Sequence, residues 1–310
     1  MSAKILDGRA LAKAIQAETK KEVALFQAKQ GITPTLALVR AGWDPASISY
    51  AKMIKRTCER VGIAFQSHTR PEDVSEDELV GLVQKLNAAK EIHGIIIQKP
   101  LPEGITDAVV VEALDPAKDI DGVHPLNAGR LAQAAFVDRP QDVGPYFVPS
   151  APLAAMELLK HHNIETDGKR AVMVAASNLI GKPMTLLLIQ NWATVTVCDL
   201  HTNPLYEMTR EADILCAATG VAHLITAEMV KPGATVLDFG FAKLDDKWVG
   251  DVDFEAVKNI ASAITPVPGG IGPMTNVVLM QKALRAAQRQ TQFGIRFATR
   301  VAPAKLRRAA

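Results

Sequence analysis

Residues 264–275, ITPVPGGIGPMT, carry three prolines and three glycines in one short run. Proline fixes φ and removes a backbone donor, whereas glycine admits positive φ, so this composition suits neither a helix nor a strand interior. It reads as a rigid loop whose backbone can lie close against a ligand, although a plain tight connection has the same composition. Two further stretches could bear chemistry. Residues 115–125, DPAKDIDGVHP, form a loop rich in turn formers that presents the carboxylates of Asp119 and Asp121. Residues 176–183, ASNLIGKP, join an apolar strand at 170–175 to an apolar helix, and the strand after that helix, 194–199, ends in Asp199. A small-residue turn, a helix and a strand ending in an acid make one dinucleotide-binding βαβ unit, with pyrophosphate at the helix N-terminus and ribose near the acid. The turn lacks G-x-G-x-x-G, so a purely structural βαβ fits nearly as well.

The elements that must position these groups alternate strand and helix. A helix is expected over 8–30, a buried strand over 35–41, a helix over 47–61, a strand from 63, a helix to about 87 and a buried strand over 93–98. A second alternation follows residue 149: a helix over 153–162, strands at 170–175, 194–199, 213–216, 235–238 and 262–264, and a final helix from about 275 to 289. The fold class is α/β, with two α/β domains and mostly parallel sheets. A net charge of +2 gives no global field for nucleic acid or a membrane surface. Cys58, Cys198 and Cys216 are isolated, with no CxxC or HExxH spacing, so no metal site is expected and a reducing compartment is. With no apolar leader and no apolar stretch of membrane-spanning length, the chain is expected to be cytoplasmic. The segment 291–310 is basic, with Arg296, Arg300, Lys305, Arg307 and Arg308 and no acid, and reads as a disordered, solvated tail.

The loop at 268–275, PGGIGPMT, resembles the PGGVGPMT signature of the methylenetetrahydrofolate dehydrogenase/cyclohydrolase family, the bifunctional FolD proteins, differing only in Ile271. The resemblance runs over roughly residues 4–287. DIDGVHPLN at 119–127 is similar to the family's KDVDGFHPxNxG, and Ile96-Ile97-Gln98 before Pro100-Leu101-Pro102 is similar to QLPLP. SNLIGKPM at 177–184 is similar to its cofactor turn, and VGDVDF at 249–254 to the loop that follows. It implies a catalytic domain over 1–148, rejoined by a helix at 275–290, a Rossmann-type NAD(P)-binding domain over 149–274, and a tetrahydrofolate cleft between them in a homodimer. It assigns catalysis to Tyr50, Gln98 and Asp121. Folate would meet Tyr50, Asp121, Pro268, Gly269, Gly270, Gly272 and Pro273; cofactor would meet Ala175, Ala176, Ser177, Ile180, Asp199 and Phe241. The chemistry suits those residue types. A carboxylate at Asp121 can accept two hydrogen bonds from the guanidine-like edge of a pterin, Tyr50 can stack on the folate's aromatic portion, and Gln98 can bond the reacting end without charge.

Several positions depart from the family pattern. The family helix reads YxxxK, but here Tyr50 is followed four residues on by Ile54, so the proton-transfer amine is missing. Lys52 and Lys55 lie about 160° and 140° round the helix from Tyr50, and Lys99, after Gln98, alternates to the opposite face of its strand. PSAP at 149–152 replaces PCTP, Ala175 replaces the turn glycine, Ala176 stands where many members carry Arg, and Asp199 stands where NADP-using members have His, a hydroxyl or a basic residue. The expectation is a dehydrogenase with cyclohydrolase activity weak or lost, using NAD or NADP with NAD preferred. The alternative is a relative that binds folate or a partner without turnover.

Overall fold

The computed structural model describes residues 2–134 and 146–292. The chain opens with a short strand, β1 (Lys4–Ile5), and a long helix, α1 (Gly8–Gln30), whose N-terminus is capped by Asp7 and whose end is closed by Gly31 at φ 67°. β2 (Thr35–Ala41) is buried along its whole length because it lies between two parallel neighbours, β3 (Ala64–Arg70) and β4 (Gly94–Ile97). The helices linking them begin where the sequence supplies caps. α2 (Pro45–Val61) starts on the Asp44 carboxylate, 2.6 Å from the Ser47 N–H, and α3 (Glu76–Ala88) on a Ser75/Glu78 capping box. Two shorter helices follow, α4 (Asp107–Glu112) and α5 (Pro125–Gln133).

α6 (Ser150–His161) leads into the second layer system, in which β5 (Arg170–Val174), α7 (Gly181–Gln190) and β6 (Thr194–Cys198) form the expected βαβ unit. After α8 (Leu205–Thr209), β7 (Ile214–Ala217) returns to the other side of β5. β8 (Thr235–Asp238) extends the sheet, a hairpin of β9 (Ala242–Leu244) and β10 (Lys247–Val249) projects from it, and α9 (Phe254–Val257) and β11 (Ala263–Ile264) follow. The six strands run parallel in the order β1-β11-β8-β7-β5-β6, so the order reverses at β5. Ligands bind at such a switch point, outside the carboxyl ends of the strands. The last helix, α10 (Ile271–Gln292), packs against α1, α2 and α6 and so joins both halves. One buried cluster already crosses them, with Leu6 and Leu131 beside Leu158, Met173 and Met274.

Three features differ from the sequence reading. α10 begins at Ile271, inside the glycine–proline run, because Pro273 falls in its first turn, where a missing N–H leaves no bond unmade. Residues 4–5 pair with β11 and complete the edge of the second sheet, although they precede the first. The β9–β10 hairpin turns on Asp245 and Asp246 at φ 46° and 60°, a two-residue turn made without glycine. Of the tail expected over 291–310, residues 291 and 292 instead end α10, and the remainder lies outside the described residues.

Candidate active site

A cavity of about 750 Å³ lies between the two sheets. α2 contributes Tyr50, Met53, Thr57 and Arg60, spaced three, four and three residues apart, which is one helical face. The opposite wall is Asp238 at the end of β8 with Phe239, Gly240 and Phe241 after it, and the floor is formed by residues 266–269 and 271–273. Tyr50, Pro268, Gly269, Gly272, Pro273 and Phe241 therefore share one cavity, which Gly270 does not line.

The glycine–proline loop is clamped from below by the start of α1. The Gly8 N–H donates to the Gly269 carbonyl at 2.9 Å, and Arg9 donates to the Pro268 carbonyl at 2.8 Å. Glycine is required at both faces of this contact. A Cβ on Gly8 would sit 2.1 Å from the Gly270 oxygen, and Gly269, at φ 128°, lies directly against the Arg9 guanidinium. Gly8→Ala is therefore expected to displace the loop and lower stability by about 1–3 kcal/mol, whereas Gly272→Ala, with open space at its Cβ, leaves it within about 0.5 kcal/mol. Denaturant midpoints of the two variants check this; equal midpoints would show that the loop is not clamped.

Asp121 sits on a segment knitted together by Asp119. That fully buried carboxylate accepts from the Val123 and His124 N–H groups at 3.2 and 2.8 Å and from Asn127 Nδ2 at 2.8 Å. Lys118 faces the other way and donates to the carbonyls of Leu86, Asn87 and Ala89 at the end of α3. Asp121 is thus held on a rigid turn. Burial pushes its carboxyl above the usual range, Lys282 opposes that shift and Asp119 adds to it. Burial and the neighbouring Asp121 raise the Tyr50 phenol, which stays neutral. Gln98 is buried at the end of β4, donates from Nε2 to the Ser47 carbonyl at 2.7 Å, and keeps a buried Oε1 with no donor among the described residues. Gln98 and Asp121 do not line the cavity. They connect to it through Tyr50, which follows Ser47 in α2 and interacts electrostatically with Asp121.

Ile54 is fully buried in the core cluster that also contains Leu36, Phe147 and Leu279. Positions 54, 58 and 61 form the core face of α2, beside the cavity face of Tyr50. Lys52 and Lys55 are exposed, the latter 3.9 Å from Glu59, and Lys99 pairs with Asp107 at the surface. None of the three brings an amine to Tyr50. A buried lysine that the sequence reading missed is Lys282 on α10. In the altered PSAP segment, Ala151 lines the cavity and the Ser150 hydroxyl is buried with no partner among the described residues.

On the other side, the Ser177 hydroxyl accepts from the N–H groups of Ile180 and Gly181 at 3.2 and 3.3 Å, at the start of α7. A Cβ on Gly181 would meet the Ala175 oxygen at 2.2 Å, so strand, turn and helix are in close contact. Ala175 holds φ 158°, at the edge of the region that favours glycine. Ala176 follows in the same turn and is exposed. This turn and helix N-terminus lie at the switch point of the sheet, the position at which a pyrophosphate binds in folds of this class. Asp199 follows β6 and is exposed; its Oδ1 accepts from the His201 N–H at 2.9 Å. The cavity wall is braced by Asp238, which accepts from the N–H groups of Gly240, Asp251 and Val252 and is pushed up to about 6 by burial. Among the described residues no cluster of His, Cys, Asp or Glu is placed to hold a metal ion, and no helix is long and apolar enough to cross a membrane.

With this geometry in place, comparison with known proteins gives one consistent result. The family model described as tetrahydrofolate dehydrogenase/cyclohydrolase, catalytic domain, matches residues 6–121, and the NAD(P)-binding domain of the same family matches residues 149–291. The bifunctional protein FolD of Roseiflexus sp. (strain RS-1) is 47% identical over 291 residues, covering 94% of this chain and 98% of its own. The crystal structure of the bifunctional FolD enzyme of Campylobacter jejuni superposes with a TM-score of 0.88 at 39% identity, covering 93% of this chain and 99% of that one. The Trypanosoma brucei FolD structure, complexed with NADP and an inhibitor, gives a TM-score of 0.88 at 34% identity, covering 94% of this chain and 99% of its own.

Proposed function

Because the chain belongs to the tetrahydrofolate dehydrogenase/cyclohydrolase family, we propose that it oxidises 5,10-methylenetetrahydrofolate to the methenyl form and hydrolyses that product slowly or not at all. The observation that carries this reading is the pairing of a retained folate constellation with a fully buried Ile54 where the family's amine would stand. Residues 1–148 with α10 make up the catalytic half and residues 149–274 the cofactor half, acting as a cytoplasmic homodimer on a small-molecule folate, with no nucleic acid or membrane partner.

In this reading Asp121 accepts hydrogen bonds from the pterin edge, Tyr50 stacks on the folate's aromatic portion and Gln98 offers its unpaired Oε1 to the reacting end. The loop with Pro268, Gly269, Gly270, Gly272 and Pro273 lies along the ring. Ala175, Ala176, Ser177, Ile180, Asp199 and Phe241 hold the dinucleotide, whose nicotinamide, when bound, accepts the hydride. Hydride departure leaves a carbon flanked by nitrogens that stabilise the cation, so the protein's task there is alignment and exclusion of water. Hydrolysis needs water activated and protons moved, which is work for a general acid–base group. The missing amine therefore affects the second reaction more than the first. The purified protein, given 5,10-methylenetetrahydrofolate and either cofactor, is expected to form reduced cofactor; none formed with NAD or NADP would favour the alternative of a binding protein without turnover.

Asp199 sets the cofactor preference in this account. An acid at the end of the second strand accepts from a ribose 2′-hydroxyl and repels a 2′-phosphate. Being exposed, it acts through a screened field, and the expected preference for NAD is on the order of tenfold in kcat/KM. Asp199→Ser is expected to remove most of that preference. A native enzyme that uses NADP better, unchanged by the substitution, would take Asp199 out of the site and leave it as the turn cap for His201.

A further inference from the structure

Lys282 is a lysine in a slot built for apolar residues. On α10 it follows Met274 and Val278 and precedes Ala286 at four-residue spacing, and all four are buried. Only 5% of it is exposed, and its ammonium donates to the Val148 carbonyl at 2.8 Å. That carbonyl lies at the back of the Asp121 turn. A Cβ on Gly122, the residue after Asp121, would stand 2.6 Å from the Phe147 oxygen and 2.9 Å from the Val148 carbonyl carbon. One neutral carbonyl does not offset the cost of burying an ammonium, so a nearby negative charge is called for.

We propose that Lys282 is a positioning residue for the folate site, its buried ammonium holding Asp121 as a carboxylate so that the pterin keeps its acceptor at neutral and mildly acidic pH. The proposal rests on the reading above only for what Asp121 binds. Around Asp121, α2 presents the neutral Tyr50 phenol. Its own segment presents Asp119, committed to three donors, His124, whose ring accepts the Leu126 N–H, and Lys118, turned to the carbonyls ending α3. β4 is preceded by His93, whose ring accepts the Thr35 N–H. α10 presents Lys282, Arg285 and Arg289, the last over the Phe147 ring at 4.9 Å. Of these cations, Lys282 is the one that pulls the Asp121 carboxyl down against its burial. The coupling is reciprocal. Burial lowers the Lys282 ammonium to about 8, while Asp121 and Asp119 hold it up.

Below about pH 8 Lys282 is charged and favours the ionised form of Asp121. Without it, Asp121 takes up a proton at a higher pH as the solution is acidified. At pH 9 the native protein and Lys282→Met should bind folate alike, and they should separate as the pH falls. A lysine that only capped the Val148 carbonyl would lower affinity by the same factor at every pH.

The direct test is the infrared carboxyl band of Asp121 in the ligand-free protein, assigned by its loss in Asp121→Asn and titrated in native and Lys282→Met proteins. The midpoint is expected to rise by about one pH unit or more in the variant; an unmoved midpoint overturns the proposal. Should Lys282→Met fail to fold, the reciprocal measurement decides: the Lys282 Nζ resonance in Asp121→Asn must titrate at lower pH than in the native protein, and an unchanged value overturns it. Neither titration uses folate. Failure of the native protein to bind tetrahydrofolate at any pH would contradict the folate reading instead.

Discussion

Replacing Asp121 by Ala is expected to weaken tetrahydrofolate binding by roughly tenfold to a hundredfold or more, since one charged hydrogen-bonding group is worth about 1.5–3 kcal/mol. The loss arises on both sides of the contact. The pterin edge would surrender a paired acceptor, and its N–H donors would face a pocket without an anion. Inside the protein, Lys282 would lose the carboxylate that helps keep it charged, so some loss of stability accompanies the loss of binding. Asp121→Asn keeps the volume and removes the charge, and it is expected to bind nearly as weakly because its amide nitrogen donates where the site needs an acceptor. Isothermal titration of both variants checks this; folate affinity within twofold of the native value in both would remove Asp121 from the binding site.

Ile54→Lys is expected to act in two opposite directions. The side chain is fully buried among Leu36, Cys58 and Leu279, so a lysine there loses hydrophobic contacts and must bring an amine into apolar surroundings. A loss of about 2–3 kcal/mol is expected, read as a lower denaturant midpoint. The same amine stands one helical turn from Tyr50, and a correctly placed general acid–base group is worth about a hundredfold or more in rate. Enzyme-dependent hydrolysis of methenyltetrahydrofolate should therefore rise while the dehydrogenase rate changes little. A variant that is destabilised yet hydrolyses no faster would show that an amine at 54 stays on the core face of α2, away from the substrate.

Much of this site is legible in the chain because its parts are local. The loop at 268–275, the turn around Asp119 and Asp121, and the caps Asp7, Asp44 and Ser75 all show themselves in a few consecutive residues, and each element follows from them. What escaped was non-local. Nothing in Lys4 and Ile5 says that a distant β11 needs an edge partner, and strand order across the switch at β5 has no sequence mark. The extension of α10 back to Ile271 escaped for another reason: glycines and a proline argue against helix everywhere except in a first turn. Lys282 did leave a signal. It occupies the four-residue apolar stripe of Met274, Val278 and Ala286, and a lysine in such a slot implies a buried partner, but only the fold shows that its ammonium reaches the Val148 carbonyl behind the Asp121 turn. Lys99, the substitute amine the sequence offered, lies in the bend beyond β4 and pairs with Asp107 at the surface.

In the native protein, oxidation is expected to outrun hydrolysis. This is tested by supplying 5,10-methylenetetrahydrofolate and cofactor and following reduced cofactor and the methenyl chromophore together. The two are expected to rise in equal amounts, and the methenyl signal then to decay at the enzyme-free rate, whatever the protein concentration. A methenyl signal that never builds up, because its decay scales with protein concentration and keeps pace with cofactor reduction, would contradict it.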